Sequence, residues 1–414
     1  MKSFLEWALL LETKEEELPK SVQNAIEKAG GAVFQVGGAV RDAILGTSSK
    51  DLDVLVTGLD EEELVDILTK FGKIDQVGKS FGVIKFKPTG FDKNDDPIDI
   101  ALPRVEKSTG KGHKDFVAVA GKKISLTTDL ARRDFTINAI AKDLVTGKLI
   151  DPYDGQKDIK AKTIRMINPT AFVEDPLRML RAVQFAARLG FAIEPKTLEE
   201  IKKQADKIQS VSGERVKEEL DKLFAKSKKP SKGIKLLFDT GLAKHIFPEL
   251  RSADYDAIDV LDKSAKAAFY ALLLEQLRSC KAAAAVKTKL KGDAKLVDSV
   301  EKALDGLENT PVTDKQIIKW QVTNGSEATK VLDQVLKAKG RKNTLTKRLD
   351  SLKAAGVPLS LKDLAVDGND LVKAGLQGKQ IGNALQKLFN FVIDNPEQNK
   401  KLILMKMVAN NENI

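Results

Sequence analysis

The amino-acid sequence predicts an α+β protein whose strands are confined to its N-terminal part. Up to about residue 150, short β-branched runs alternate with helical patterns. After Tyr153 the strand signals nearly vanish and helical periodicity takes over. A chain of 414 residues is also long for a single core. We therefore expect two or more domains, of which only the first contains a large sheet.

Each predicted element rests on its residue pattern. Strands are predicted where β-branched and apolar residues cluster, at Val33–Val36, Leu52–Val56, Gly82–Phe86, Ile98–Leu102 and Phe116–Val119. Helices are predicted at Ala39–Leu45, Glu61–Phe71, Pro176–Leu189, Thr197–Ile208 and Glu214–Phe224, and across most of residues 233–414. In the second of these helices Leu64, Ile67 and Leu68 share one face. The segment Ser227–Gly233 predicts a joint between helical layers.

Composition favours an acidic partner in a reducing compartment. The formal net charge is +10 and the pI is near 9.2, which points to nucleic acid. Only 5% of residues are aromatic, so phosphate contacts are favoured over extensive base stacking. Cys280 is the one cysteine, which excludes an internal disulfide framework. The sequence shows neither a signal peptide nor a transmembrane segment, and we expect a cytoplasmic protein with no membrane partner. Lysine-rich stretches at 281–295 and 337–348 are solvated helix faces or contacts to RNA phosphates.

A glycine pair follows the first predicted strand. Gly37 and Gly38 let the backbone turn tightly and approach a ligand closely, because neither residue has a Cβ. The helix predicted after them, which contains Arg41, would direct its first N–H groups at an anion. Gly46 is placed to end that helix. The pattern indicates a phosphate-binding turn.

Two carboxylates, Asp51 and Asp53, come next at a spacing of two. In a strand this spacing directs both side chains to the same face. Two like charges held that close repel, so a divalent cation is their natural partner. Oxygen ligands suit Mg²⁺ that bridges substrate phosphates. In isolation, such a pair also fits a solvated strand edge.

A second block, Asp129–Ala139, contains paired arginines. Arg132 and Arg133 can bind phosphate oxygens through two parallel hydrogen bonds. Asp134 and Asn138 can hold a ribose hydroxyl. The same residues also fit the start of an amphipathic helix with a surface Arg–Asp pair.

A third block, Glu174–Arg181, suggests recognition of a base. Asp175 and Arg178 are three residues apart and are expected to share a helix face. A carboxylate that accepts from an exocyclic amine, beside a guanidinium that donates to the neighbouring ring nitrogen, fits cytosine and adenine. Guanine and uracil present a carbonyl and an N–H at these positions, so both contacts become repulsive. In the plainer alternative Asp175 caps a helix whose first turn holds Pro176, and Arg178 and Arg181 form a basic face.

Together these blocks resemble the signature of the DNA polymerase beta-like nucleotidyltransferases, in the branch of CCA-adding enzymes and bacterial poly(A) polymerases. The resemblance covers roughly residues 30–250, and the segment Arg132–Ala139 matches its motif completely. It implies a nucleotidyltransferase head with a mixed sheet, followed by an all-helical neck, body and tail. The implied domains are residues 1–150 for the head, 151–228 for the neck, 229–310 for the body and 311–414 for a tRNA-binding tail.

The resemblance implies a class II CCA-adding enzyme, which adds C, C and A to the 3′ end of tRNA from CTP and ATP. The implied chemistry is two-metal transfer with Mg²⁺ on Asp51 and Asp53, and contact with the acceptor arm of tRNA. Asp99 is either a third carboxylate in catalysis or a solvated strand residue. Nucleotide contacts are implied for Gly37, Gly38, Arg41, Arg132, Arg133, Asp134, Asn138 and Arg181, and base recognition for Asp175 and Arg178.

Three further segments resemble parts of this family. The polar loop Lys107–Asp115 resembles the flexible loop that is thought to switch the site from C to A, with His113 as a loop contact. Leu149–Ile159 resembles the linker between head and neck, and Glu214–Leu220 resembles a neck helix. Both are expected to be architectural.

Alternative hypotheses for the function stay open. A poly(A) polymerase of the same branch tends to carry a more basic segment where Val77–Lys85 has only Lys79 and Lys85, so CCA addition is favoured. A CC-only enzyme is disfavoured by the intact loop around Gly110. A catalytically silent RNA-binding relative is disfavoured by the retained carboxylates and arginines. With His245 the single histidine of its C-terminal half, the chain cannot form a phosphohydrolase domain with paired His-Asp ligands.

Overall fold

The computed structural model describes residues 18–47, 52–75, 83–91, 96–108, 116–341 and 345–410. Asp51, Lys79, Gly110 and His113 lie outside these ranges. The chain divides into two compact units, Met1–Val211 and Ser212–Ile414. Within the ranges given, no helix is both long and apolar enough to cross a membrane.

The first unit contains the strands. They are β1 (Ala32–Val36), β2 (Asp53–Thr57), β3 (Gly72–Asp75), β4 (Val83–Pro88), β5 (Ile98–Ala101), β6 (Arg104–Ser108), β7 (Phe116–Ala120), β8 (Ala141–Asp143), β9 (Leu149–Ile150), β10 (Thr163–Ile164) and β11 (Ala192–Ile193). Its helices are α1 (Lys20–Lys28), α2 (Gly38–Ile44), α3 (Glu61–Leu68), α4 (Leu126–Ala131), α5 (Gly155–Ala161), α6 (Ala171–Glu174), α7 (Leu177–Leu189) and α8 (Pro195–Gln204). Single 3₁₀ segments lie at Thr136–Asn138 and Ala205–Ser210.

The main sheet is mixed, as expected. Its strand order is β3-β4-β5-β2-β1-β8-β9. β2 and β5 are parallel, whereas the other neighbouring strands are antiparallel. β6 and β7 form a separate antiparallel pair. The parallel pair at the centre brings together strands that are distant in sequence.

Alternation along β2 sets the two faces of the sheet. Val54 and Val56 are buried in a core that also contains residues of α1 and α3. Leu55 lies in a second cluster, with Leu130 at the end of α4. Asp53 precedes Leu55 by two positions and therefore lies on this second face. The chemistry-bearing residues are thus opposite the face that α1 and α3 cover.

The segment after the sheet is mostly helical, but the expectation of an all-helical neck is wrong in one detail. β10 and β11 pair in parallel, with Thr163 opposite Ala192 and Ile164 opposite Ile193. Gly190, at φ +71°, ends α7 in the left-handed conformation and returns the chain to β10. Strands of two residues are too short to show an alternating pattern, which is why the sequence did not predict them.

The predicted linker packs closely on the 3₁₀ turn. Asp151 accepts hydrogen bonds from Gly155 N–H at 2.7 Å and Gln156 N–H at 2.8 Å, at the start of α5. A Cβ at Gly155 would lie 2.3 Å from the carbonyl oxygen of Thr136, so only glycine fits there. The linker is therefore fixed to the segment that contains Asn138.

The second unit is helical throughout its described residues. Its helices are α9 (Gly213–Lys226), α10 (Pro230–Asp239), α11 (Leu242–Ile246), α12 (Tyr255–Val260), α13 (Lys266–Leu273), α14 (Ser279–Lys289), α15 (Ala294–Glu308), α16 (Asp314–Asn324), α17 (Ser326–Ala338), α18 (Leu345–Ala354), α19 (Gly368–Lys373), α20 (Lys379–Asp394) and α21 (Lys401–Ala409). Phe224 and Phe269 stack with ring centroids 4.5 Å apart. A large C-terminal core forms around Ile317, Leu332 and Phe389.

Most boundaries differ from the predicted ones by one to three residues. The helix predicted at Glu61–Phe71 ends at Leu68, because Gly72 opens β3, a strand that was not predicted. The helix predicted at Thr197–Ile208 begins at Pro195 and continues beyond Gln204 as 3₁₀. β3, β6, β8 and β9 were missed because they are short or carry charged residues.

Candidate active site

The glycine turn after β1 lies beside two of the candidate residues. Gly37 has φ +77° and ψ −138°, a conformation open to glycine and strained for other residues. A Cβ placed on Gly37 would lie 3.0 Å from Nη1 of Arg133 and 3.5 Å from Oδ2 of Asp53. The fold therefore brings the turn, one carboxylate and one guanidinium close together.

Replacing Gly37 by alanine should strain the backbone at this point. We expect a loss of about 2–3 kcal/mol in the free energy of unfolding, because alanine is strained in this backbone conformation and its Cβ would lie too close to Arg133. Gly190→Ala is the matched control, since Gly190 is also left-handed but has open space around it, and should lose only about 1 kcal/mol. Urea denaturation of both variants measures the difference, and equal losses would contradict the close approach at Gly37.

Asp53 and Asp99 are partners in the parallel register of β2 and β5. Their side chains therefore share one sheet face, opposite the core formed by Val54 and Ile100. Asp53 is exposed, and Asp99 accepts a hydrogen bond from Nζ of Lys85 at 3.0 Å. Among the described residues no group of three His, Cys, Asp or Glu is arranged as a metal site, while Asp51 falls outside them.

Arg132 and Arg133 converge on one buried carboxylate. Asp129, which has no exposed surface, pairs with Arg132 at 2.7 Å and with Arg133 at 3.4 Å. It also accepts from the backbone N–H of Arg104 at 3.2 Å. Burial lowers the pKa of the Arg133 guanidinium, and Asp129 opposes that effect. Nε of Arg133 is buried and has no hydrogen-bond partner in the part of the chain that is described.

Asp134 and Asn138 are engaged with other protein groups. Asp134 accepts from Nδ2 of Asn138 and from Nε of Arg181, both at 2.8 Å. Burial raises the pKa of Asp134, but Arg181 and Asn138 outweigh it and the pKa is lower than that of an ordinary aspartate. Oδ1 of Asn138 accepts from Nη1 of Arg41 at 2.6 Å. The pair thus connects α2 with α7.

Arg41 is 2% exposed and its guanidinium also pairs with Asp42 at 2.7 Å. It lies close to the glycine turn, since a Cβ on Gly38 would be 3.4 Å from its Nη2. Arg41 therefore supports the turn from within the protein.

The expectation that Asp175 and Arg178 share a helix face is wrong, because Asp175 lies outside α7. Asp175 is extended, at φ −140° and ψ 98°, because residues before a proline avoid the helical conformation. Its Oδ1 accepts from Leu177 N–H at 3.1 Å, close to the capping alternative. Arg178 is 7% exposed; it donates to the carbonyl oxygen of Arg132 at 2.5 Å and pairs with Glu174 at 3.3 Å.

Two residues of α7 that the motifs did not include contact this site. Arg41 and Arg181 both lie near the ring of Phe185, with Cζ 5.1 and 5.2 Å from its centroid. Arg188 pairs with Asp42 at 3.4 Å. Their spacing from Arg178, at i+7 and i+10, was the available sequence signal for both.

Three family models match the chain in order. They are "Poly A polymerase head domain" at residues 33–165, "Probable RNA and SrmB- binding site of polymerase A" at 190–254 and "tRNA nucleotidyltransferase domain 2" at 263–408. The first contains the glycine turn, Asp53 and Arg133.

Named relatives agree with these matches. Multifunctional CCA proteins of Xanthomonas campestris pv. campestris (strain B100) and Psychromonas ingrahamii are each 41% identical to the chain, over 223 and 225 residues. The matched residues are 53% of this chain and 51% of each relative, so the chain spans about half the length of the curated relatives it matches.

Solved structures extend the similarity to the whole chain. The Bacillus stearothermophilus CCA-adding enzyme in complex with CTP has a TM-score of 0.73 and 26% identity, and the match covers 100% of both chains. The Thermotoga maritima CCA-adding enzyme complexed with tRNA has the same fold, with a TM-score of 0.69, 24% identity and 98% of both chains covered. The three family models follow one another in order along the sequence, so most of residues 33–408 is similar to members of the tRNA nucleotidyltransferase/poly(A) polymerase family.

Proposed function

We propose that this protein adds C, C and A to the 3′ end of tRNA by two-metal nucleotidyl transfer from CTP and ATP, without a nucleic-acid template. The meeting of Gly37, Asp53 and Arg133 at one point carries the proposal. The names of the relatives and of the similar solved enzymes support it. The net charge of +10 suits an RNA substrate, and we place the protein in the cytoplasm with tRNA.

Mg²⁺ is the proposed cofactor, held by Asp51 and Asp53. The donor set fits, because carboxylate oxygens are preferred ligands of this ion and Asp53 is exposed beside the glycine turn. When bound, the ion supplies charge neutralisation at the phosphates and lowers the pKa of a bound hydroxyl. Asp99 would add a carboxylate from the neighbouring strand, with Lys85 fixing its orientation.

The protein groups bind the triphosphate and orient it. The backbone of Gly37 and Gly38 can approach the phosphates without interference, and Arg133 donates to their oxygens. Arg41 and Arg132 hold this arrangement through Asn138 and Asp129. In the proposed reaction the 3′ hydroxyl of tRNA releases its proton to solvent, its oxygen forms a bond to the α-phosphorus, and pyrophosphate leaves with the electrons of the broken P–O bond.

Base choice is assigned to Asp175 and Arg178, in a geometry different from the expected one. Arg178 is anchored to Glu174 and to the carbonyl oxygen of Arg132, which fixes the position of its guanidinium. Asp175 lies just before α7, so its carboxylate can accept from the exocyclic amine of C or A.

The proposal is tested by incubating the protein and Mg²⁺ with tRNA that ends at the discriminator base, and by separating products by length. Two additions with CTP alone, and a third only when ATP is also supplied, are expected. A long ladder with ATP alone would identify a poly(A) polymerase, and a stop at two additions with both nucleotides would identify a CC-adding enzyme. Absence of extension would favour a silent RNA-binding relative.

Asp175→Ala should relax the choice of base. We expect discrimination against UTP and GTP to fall about tenfold, because a repulsive carboxylate–carbonyl contact is removed. Asp293→Ala is the control, since Asp293 makes a similar capping bond, to Leu296 N–H at 2.8 Å, in the other unit. Misincorporation is measured on tRNA primers with each nucleotide. If Asp175→Ala retains activity with unchanged selectivity, the assignment to Asp175 is wrong.

A further inference from the structure

One face of α7 contacts the segments that surround the glycine turn. Arg178, Arg181, Phe185 and Arg188 occur at positions i, i+3, i+7 and i+10, which share a helix face. All of them contact residues within 41–42 or 132–135. This face therefore extends from Arg178, which is proposed to recognise the base, to Arg188, which contacts α2.

Phe185 occupies the middle of this face and is 5% exposed. Its ring lies within cation–π distance of two guanidinium groups, 5.1 Å from Cζ of Arg41 and 5.2 Å from Cζ of Arg181. It also packs edge-to-face against Phe135, with centroids 6.0 Å apart. Since Arg41 belongs to α2 and Arg181 to α7, the ring joins the two helices.

Hydrogen bonds also link Arg41 to Arg181, so that the contacts between α2 and α7 form a closed circuit. From Arg41 the contacts run to Asn138 at 2.6 Å, to Asp134 at 2.8 Å, to Arg181 at 2.8 Å and back to Phe185. We call these five residues the Phe185 clamp. Two positive charges can lie beside the aromatic ring of Phe185, because the guanidinium groups of Arg41 and Arg181 each have a carboxylate partner. Both positive charges of the clamp are thus compensated.

We propose that Phe185 is a positioning residue that holds α7 against α2, and so sets the base readers relative to the triphosphate turn. The inference rests on the proposed function for the identity of the reaction. Phe185 acts on the nucleotide through Arg41 and Arg181, which are themselves fixed to Asn138 and Asp134. A smaller side chain would leave both guanidinium groups without their aromatic contact. The ion pair of Arg188 with Asp42 is a second tether between the same helices.

Three variants separate positioning from packing. Phe185→Leu removes the aromatic face but keeps an apolar side chain, and Phe185→Tyr restores that face. Phe191→Leu is the matched control, because Phe191 is 7% exposed in the same unit and its ring makes no cation–π contact with a guanidinium among the residues described. The measurements are amide hydrogen exchange in α2, the Kd values of CTP and ATP, and kcat and KM for each nucleotide on tRNA primers.

We expect Phe185→Leu to speed amide hydrogen exchange in α2 about tenfold and to lower kcat/KM about tenfold. The kcat/KM values for CTP and ATP should also become more alike. Phe185→Tyr should return all these values toward wild type, and Phe191→Leu should leave them unchanged. The positioning role is wrong if Phe185→Leu and Phe191→Leu change these quantities equally. It is also wrong if amide hydrogen exchange changes while the Kd and kcat/KM values of the nucleotides do not. If the wild-type protein adds no CCA, the proposed function fails separately, and exchange together with nucleotide Kd values still decides the role of Phe185.

Discussion

Asp53→Asn is expected to reduce nucleotide addition at least about 1000-fold, because the substitution removes the charge that a divalent cation requires. The fold should survive, since Asp53 is exposed at the start of β2 and asparagine has the same shape. Initial rates of CTP incorporation into tRNA, with Mg²⁺ in excess, measure the effect.

Asp60→Asn is the matched control for this substitution. Asp60 lies in the same unit, is exposed, and caps α3 by accepting from Glu63 N–H at 2.9 Å. Asparagine caps helices as well as aspartate does, so activity and stability should both be retained. Appreciable turnover by Asp53→Asn, with Asp60→Asn at the wild-type rate, would contradict the metal role of Asp53.

Arg133→Met is expected to raise the KM for CTP and ATP about 100-fold, because it removes a charge-assisted contact to the triphosphate. The fold should tolerate the change. Asp129 keeps its ion pair with Arg132 at 2.7 Å and its bond from the N–H of Arg104 at 3.2 Å, so its buried charge stays compensated. Steady-state kinetics with each nucleotide give the KM values.

Arg165→Met is the control for Arg133→Met. Arg165 pairs with another buried carboxylate, Asp158, at 2.8 Å. Breaking that pair should lower the free energy of unfolding by at least as much as Arg133→Met does, and leave KM near the wild-type value. An equal rise in KM for both variants would assign the effect of Arg133→Met to lost stability, and would remove Arg133 from the nucleotide site.

Local motifs predicted the parts of the site that depend on backbone turns and alternation. The Gly37 turn and the strand that carries Asp53 follow from residue types whose geometry is fixed over a few positions, whereas a place for Arg133 beside them was expected only from the resemblance to the family. The helical C-terminal part, predicted from its periodicity, and the mixed sheet, implied by the resemblance, were both confirmed. The roles of these residues in catalysis stay predictions.

Contacts between distant segments could not be predicted from one sequence. Asp175 leaves the helix because of Pro176, a local rule that the assumption of a shared helix face overlooked. The partners of Asp134 and Arg41 depend instead on how α7 packs, which short motifs do not encode. The role of Phe185 was not predicted, because one of its two guanidinium contacts comes from Arg41, which is distant in the sequence.

The contacts that join α2 to the rest of the site span long stretches of the chain. Arg41 and Asn138 are 97 residues apart, and Asp42 and Arg188 are 146 apart. Closing such loops costs entropy before any contact forms, so these contacts should form late in folding. During synthesis the glycine turn leaves the ribosome long before α7 does. The proposed nucleotide site is therefore completed only when nearly all of the first unit has been made, and a shorter nascent chain lacks the contacts that α7 supplies to it.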